Sequence, residues 1–256
     1  MFPSKKGWFP AQWMKSTLPI LEDPGLTTND LQGSAFLLQY GNVNYLVTAK
    51  HVIEKLRDPM FGFHRINRKL ERVSCHKFES ILGLKWIYHP SGLDIAAIPF
   101  PIKPFMDVAV IEEKYWINAY KVPTGEIVTH LGYPLGLSSQ YIDDSPSFFA
   151  RAMIGNVLTA NTQNIITTSP GAPGASGGPL FMKENSTSGL LIGIVIRAGV
   201  LNRTFVDKTI SLPTYEVEQT LKSKEMQEEV KNYEKLILDI LDNDESKKLN
   251  HTSDRS

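Results

Sequence analysis

The stretch SPGAPGASGGPLF (residues 169–181) decides the reading of this chain, with four glycines and three prolines in thirteen residues. That composition excludes a helix interior and breaks any long strand. Within it one hydroxyl, Ser176, stands between small residues just before the apolar run PLF. A tight turn here can point the N–H groups of Gly174 and Ser176 to the same side as Ser176 Oγ. Such donors beside a nucleophile can hold a developing oxyanion. A serine hydroxyl is nevertheless a weak nucleophile at neutral pH, so it requires a base. The base in turn requires an acceptor behind it. The rest of the chain has to supply both.

Six histidines are available: His51, His64, His76, His89, His130 and His251. Only His51 directly follows an apolar strand, in NYLVTAKHVIEKL. Small Ala49 leaves room beside it, and HVIEKL can open a short helix that fixes its place. His64 and His76 lie in a basic region with Arg65, Arg68, Lys69 and Arg72, which reads as solvated. His251 belongs to the polar tail, and His130 follows a β run as a core or surface strand residue. His89 is the rival, because HPSGLD leads into Asp94. A residue before proline has a restricted backbone and suits a strand-to-turn position, so His89 reads as structural. Asp94 heads the apolar run DIAAIPF, where a carboxylate is partly buried and costly unless paired. Taken alone, an aspartate capping the turn after Gly92 is the stronger reading. With His51 and Ser176 in the same chain, pairing is the stronger reading.

The whole composition is that of an ordinary globular protein. The chain has 256 residues, 42% hydrophobic and 21% charged, enough for one large domain or two small ones. Lys plus Arg equals Asp plus Glu at 27 each, so no global field points to nucleic acid. The single cysteine, Cys75, excludes an internal disulfide framework and fits a reducing compartment. The first residues, MFPSKKGWFPAQWMKS, contain no signal-like apolar run, and nothing approaches the ~20 apolar residues of a membrane span. The expectation is a cytoplasmic protein with no membrane contact, no cofactor and no metal.

From Leu31 to about Leu212 the chain reads as short strands between Gly, Pro, Asn and Asp punctuation. SAFLLQYGNVNYLVTA reads as a hairpin turning at YGNVN. FGFHRI, KWIYH, DIAAIPF, EIVTHLGYP, FFARAMIG, NIITT, LLIGIVI and TISL are further β runs. This pattern predicts an all-β architecture of sandwich or barrel type. A seam near residue 120 divides residues 31–120 from 121–213, with 1–30 as an N-terminal extension. After Pro213 glycine and proline vanish, and Val217, Leu221, Met226, Val230, Tyr233, Ile237 and Leu241 recur mostly at three- and four-residue steps. That predicts an amphipathic helix near 215–241 within a C-terminal segment 214–256. It lies on its own barrel, or it pairs with a partner protein or a second copy.

At this point the chain resembles a known family. LVTAKHV, LDIAAI and GASGGPL, in that order, are similar to the three catalytic blocks of chymotrypsin-fold serine proteases. GEIVTHLGYPLGL and LLIGIVI resemble the HtrA-like branch, and the resemblance covers roughly residues 31–222. It implies two antiparallel six-stranded β-barrels with the site in the cleft between them. His51 and Asp94 would come from the first barrel and Ser176 from the second, with Gly174 and Ser176 N–H groups as the oxyanion hole. It implies peptide-bond hydrolysis through an acyl-enzyme, with a polypeptide as substrate.

The pattern also departs from the family. Ala175 stands where secreted members carry aspartate and HtrA-like members often carry asparagine. Alanine cannot hydrogen-bond, so the loop needs another brace, and Pro173 is a candidate. Pro170, six residues before the serine, stands where trypsin-like relatives floor the specificity pocket and offers no carboxylate, so the resemblance implies cleavage after small or medium apolar residues. Main-chain pairing with substrate is expected from Ile196 through Arg197 to Ala198, with the Arg197 side chain facing solvent or a substrate acid. No PDZ domain is expected after the protease region. Two alternatives stand beside an active protease: a non-catalytic binding or scaffold protein, and a protease held inactive until a partner binds.

Overall fold

The computed structural model describes residues 11–22, 31–67, 69–134, 150–183, 189–201 and 204–253. Residues 1–10, 23–30 and 254–256, the end of GYPLGL and the leading phenylalanines of FFARAMIG lie outside the described residues. Among the described residues thirteen strands form two antiparallel sheets.

The first sheet contains β1 (Thr17–Glu22), β2 (Leu31–Tyr40), β3 (Val43–Thr48), β4 (Pro59–His64), β5 (Leu70–Ser74), β6 (Ile87–Tyr88) and β7 (Ala96–Pro99). Their order is β5-β4-β1-β2-β3-β7-β6. The predicted hairpin is present: Tyr40 pairs with Val43 across the two-residue turn Gly41–Asn42, and Gly41 takes a φ of 57°. The second sheet contains β8 (Ile127–Gly132), β9 (Arg151–Ala160), β10 (Ile165–Thr167), β11 (Pro179–Lys183), β12 (Gly189–Leu201) and β13 (Thr204–Pro213). These six close into a barrel in the order β10-β13-β12-β11-β8-β9.

Strand alternation explains why so many runs are apolar on both faces. On β2, Ala35 and Leu37 face the core of the first half, while Phe36 and Leu38 face a central core shared with the second half. On β11, Leu180 enters the barrel interior and Phe181 turns to the same central core. Each fully buried leucine or phenylalanine among them contributes about 1.5–3 kcal/mol. The two halves are therefore joined by hydrophobic packing, and whatever lies on their seam is held from both sides.

Two expectations change. The first half is a seven-stranded sheet rather than a second six-stranded barrel. Among the described residues its edges, β5 and the two-residue β6, do not pair with each other. A two-residue strand is too short to carry a closing ladder, and the chain between these edges enters a helix, α2 (Cys75–Leu82), while α1 (Lys50–Glu54) lies earlier, between β3 and β4. The first sheet also begins inside the segment read as an extension. β1 lies between β2 and β4, and Pro19 is tolerated because only Ile20 to Glu22 pair with β4.

The C-terminal helix is present but interrupted. α3 spans Thr214–Lys222 and α4 spans Lys224–Ser253, broken at Ser223 with ψ 152°. Ser223 Oγ accepts from the Met226 N–H at 3.2 Å, which makes it the N-cap of α4, and donates to the Thr220 carbonyl at 2.8 Å. Val217, Leu221 and Met226 enter the central core, with Val230 and Tyr233 packed against it. That much of the apolar face lies on its own chain. No helix among the described residues is long and apolar enough to cross a membrane.

Candidate active site

The histidine–carboxylate pair is built at the end of β3. Ala49 leads into the short helix α1 with no side-chain cap, so the first N–H groups of the helix need outside acceptors. Asp94 supplies one. Its Oδ1 accepts from the His51 backbone N–H at 2.9 Å, and its Oδ2 lies 2.6 Å from His51 Nδ1. One carboxylate thus fixes both the backbone and the ring of the same residue. The Nδ1 proton is directed to Asp94, which leaves Nε2 as the ring's acceptor. Both side chains keep 31% exposure, so a charged imidazolium here remains partly hydrated. Burial raises the Asp94 carboxyl, but the His51 ring and backbone hydrogen bonds and the charges of His51 and Lys55 outweigh it. The net result lies below the usual carboxylate range.

The loop that carries Ser176 consists of two turns in sequence. The Ala175 N–H donates to Ala172 O at 3.1 Å, and the Gly178 N–H donates to Ala175 O at 3.1 Å. Pro173 stands second and Gly174, at φ 90°, third in the first turn, the signature of type II. Gly177 repeats the third position at φ 87°, and a Cβ there would run into the Ser34 carbonyl and the Thr48 hydroxyl. Glycine is required on both counts. The Gly177 N–H donates to Val195 O at 2.7 Å. The N–H groups of Gly174 and Ser176 take no partner among the described residues. They are the two that the sequence assigns to an oxyanion.

Ser176 Oγ donates to the Ile196 carbonyl at 3.2 Å. No hydrogen bond joins it to His51 among the described residues. Ile196 is free to accept because the β12–β13 register slips between Val195 and Arg197, where Val195 pairs with Ser211 and Arg197 with Ile210. Of the other residues expected on this strand, Arg197 has an exposed side chain and Ala198 pairs with Thr209. Pro170 is exposed.

Three features escape a reading of the sequence. The loop is braced by Ser34 of β2, while Pro173 is exposed. Beside Pro170, Ser169 is fully buried with its Oγ 2.7 Å from His130 Nδ1, and its carbonyl accepts from Thr209 Oγ1 at 2.8 Å. His130 itself is buried, with Nε2 3.0 Å from Met153 Sδ, and burial lowers its pKa to about 3. It is a neutral core residue. His89, the rival, is also structural. Its Nδ1 accepts from the Ser91 N–H at 3.1 Å, so Nε2 carries the proton that meets Glu216 of α3 at 3.0 Å. Both partners are well buried, which ties the Asp94 loop to the C-terminal helix. Glu229 of α4 adds a second tie by accepting from the Lys85 N–H at 2.6 Å. None of these long-range partners has a local sequence signal.

A seam between two antiparallel sheets, with a histidine–carboxylate pair on one side and a serine turn on the other, defines a chymotrypsin-type scaffold. The chain belongs to the trypsin-like peptidase domain family, which it matches over residues 33–194. The MamO protease domain from Magnetospirillum magneticum, in its apo form, shares the fold with a TM-score of 0.58 at 14% identity. That match covers 83% of this chain and 98% of that one. An HtrA-type protease, AlgW, solved with a tripeptide, gives 0.56 at 16% identity over 83% of this chain and 62% of that one. The serine endoprotease from Yersinia pestis gives 0.55 at 17% over 84% and 64%. The chain thus spans under two thirds of the length of these last two. A search of the curated proteins finds no match.

Proposed function

We propose that the protein is a serine endopeptidase working through Ser176, His51 and Asp94 with an acyl-enzyme. The observation that carries this reading is the hold of one carboxylate, Asp94, on both N–H groups of His51. That hold selects the tautomer in which Nε2 is a base. His51 Nε2 takes the Ser176 proton as Oγ attacks the substrate carbonyl, and returns it to the leaving amine. Water then attacks the ester by the same route and releases the second product. The unpartnered N–H groups of Gly174 and Ser176 hold the oxyanion in both halves, each such donor being worth about 10²–10³ in rate. These steps follow the established mechanism of the Ser-His-Asp triad in chymotrypsin-fold proteases.

The substrate is a polypeptide, cleaved after small or medium apolar residues. Pro170 supports this, because it offers no charge to a basic side chain. Apolar pockets discriminate by only about 1–3 kcal/mol per methylene, so the preference is loose. The lone buried thiol of Cys75 supports a reducing, cytoplasmic setting.

One observation favours a second reading, a protease at rest. Ser176 Oγ is engaged by Ile196 O and must rotate away before His51 can take its proton. Cleavage of a peptide panel varying only the residue before the scissile bond tests the main reading, beside His51→Ala. Ala, Val or Leu is expected at the cleaved position, with no cleavage by the variant. A preference for Arg or Lys would overturn the assignment of the pocket.

A further inference from the structure

We propose that Ser34 is the positioning residue of the oxyanion loop, replacing from the opposite half the side-chain brace that Ala175 lacks; the kinetic part of this proposal rests on the protease reading above. Ala175 is buried and its methyl group cannot hydrogen-bond. Ser34 is fully buried, and every polar atom it has is engaged. Its N–H donates to the Ser176 carbonyl at 2.7 Å, and its carbonyl accepts from Thr48 Oγ1 at 2.7 Å. Its Oγ accepts from the Tyr133 N–H at 3.1 Å, and its single hydroxyl proton goes to the Gly174 carbonyl at 2.7 Å.

The geometry of these four bonds is specific. Gly174 O and Ser176 O flank the peptide that carries the Ser176 N–H, one of the two oxyanion donors. Anchoring both carbonyls restricts the rotation of the peptide between them. The anchor is itself rigid. Tyr133 is fully buried and its hydroxyl donates to Thr17 O of β1 at 3.0 Å, so the chain of bonds runs from the first sheet through Ser34 to the loop. Space for the hydroxyl is provided by Gly132, where a Cβ would lie 3.0 Å from Ser34 Oγ and 3.2 Å from Ala175 Cα. The brace and the seat of the loop fit as one unit.

Displacing a preorganised donor by about 1 Å costs rate rather than substrate affinity, on the order of 10²-fold at most. The test compares Ser34→Ala and the milder Ser34→Cys with the wild type on the best peptide of the panel. Expected for Ser34→Ala is a fall in kcat of about 10- to 100-fold with KM within about twofold. Affinity for a peptide boronic acid, which forms the tetrahedral adduct, falls in step, while affinity for the matching peptide amide is kept. Ser34→Cys gives an intermediate loss and is the informative variant should Ser34→Ala not fold. Hydrogen exchange supplies a readout independent of activity: amides of 172–178 exchange faster in the variants, while those of β9 do not change. An unchanged kcat overturns the proposal. So does equal loosening of the loop and β9, which is general destabilisation. If the wild type cleaves nothing, the protease reading fails, and loop exchange alone decides whether Ser34 holds the turn.

Discussion

His51 on the first half and His130 in the barrel each meet a side-chain oxygen through Nδ1, and the two pairs differ in partner and in burial. On the first half His51 meets a carboxylate, keeps 31% exposure and has its backbone fixed by the same acid. In the barrel His130 meets the hydroxyl of Ser169 and is sealed from water, which drives its pKa to about 3. An imidazole can act as a base only where its protonated form is tolerated. A carboxylate and solvent reach the ring at His51, and among the described residues neither reaches it at His130. A histidine held through Nδ1 is thus the same local chemistry with opposite outcomes, decided by the acceptor and by burial.

The most drastic way to break the contrast is to make the first acceptor neutral. Asp94→Asn keeps the shape but donates where the carboxylate accepts, which favours the wrong ring tautomer. A fall of about 10⁴-fold in kcat is expected, the magnitude established for the same substitution in the triad of this fold class. Stopped-flow or steady-state hydrolysis of the best peptide measures it. A loss under about tenfold would show that Asp94 is a cap for α1 and not a catalytic partner.

A smaller effect sharpens the other side of the comparison. His130 has a folded pKa of about 3 against an ordinary value of 6.5. Between those values the unfolded chain binds a proton that the folded one does not. Stability from this group is therefore complete above about pH 6.5 and declines as pH falls toward 3, by up to about tenfold in the folding equilibrium per pH unit. Urea midpoints from about pH 8 to about pH 4 should fall more steeply for the wild type than for His130→Leu, in which Ser169 Oγ still reaches Met153 O at 3.3 Å. Parallel slopes would mean that His130 is hydrated.

What could be read in the sequence was local. The YGNVN turn, the glycines of the serine loop and the switch to helical spacing after Pro213 are short-range signals, and the structure contains the corresponding elements. Asp94 and His51 were legible because each sits at the boundary of an apolar run, where a polar group invites explanation. The misses are long-range or exceptions to a local rule. Pro19 argues against a strand inside a sheet, and it is permitted only because β4 pairs beyond it. Ser223 fits a continuous helix by periodicity, but it caps a new one. Ser34 looks like any small residue at a strand start. Its role exists only once a glycine 140 positions away in the chain lies against it. The register slip that frees Ile196 O depends on two strands meeting and leaves no mark on either.

The central claim is that Ser176 is a nucleophile activated by His51, and covalent labelling by a fluorophosphonate tests it most directly. The account predicts that the wild type is labelled, that mass spectrometry places the adduct on Ser176, and that Ser176→Ala and His51→Ala are not labelled. A folded wild type that stays unlabelled, or a His51→Ala variant labelled at the wild-type rate, would contradict it.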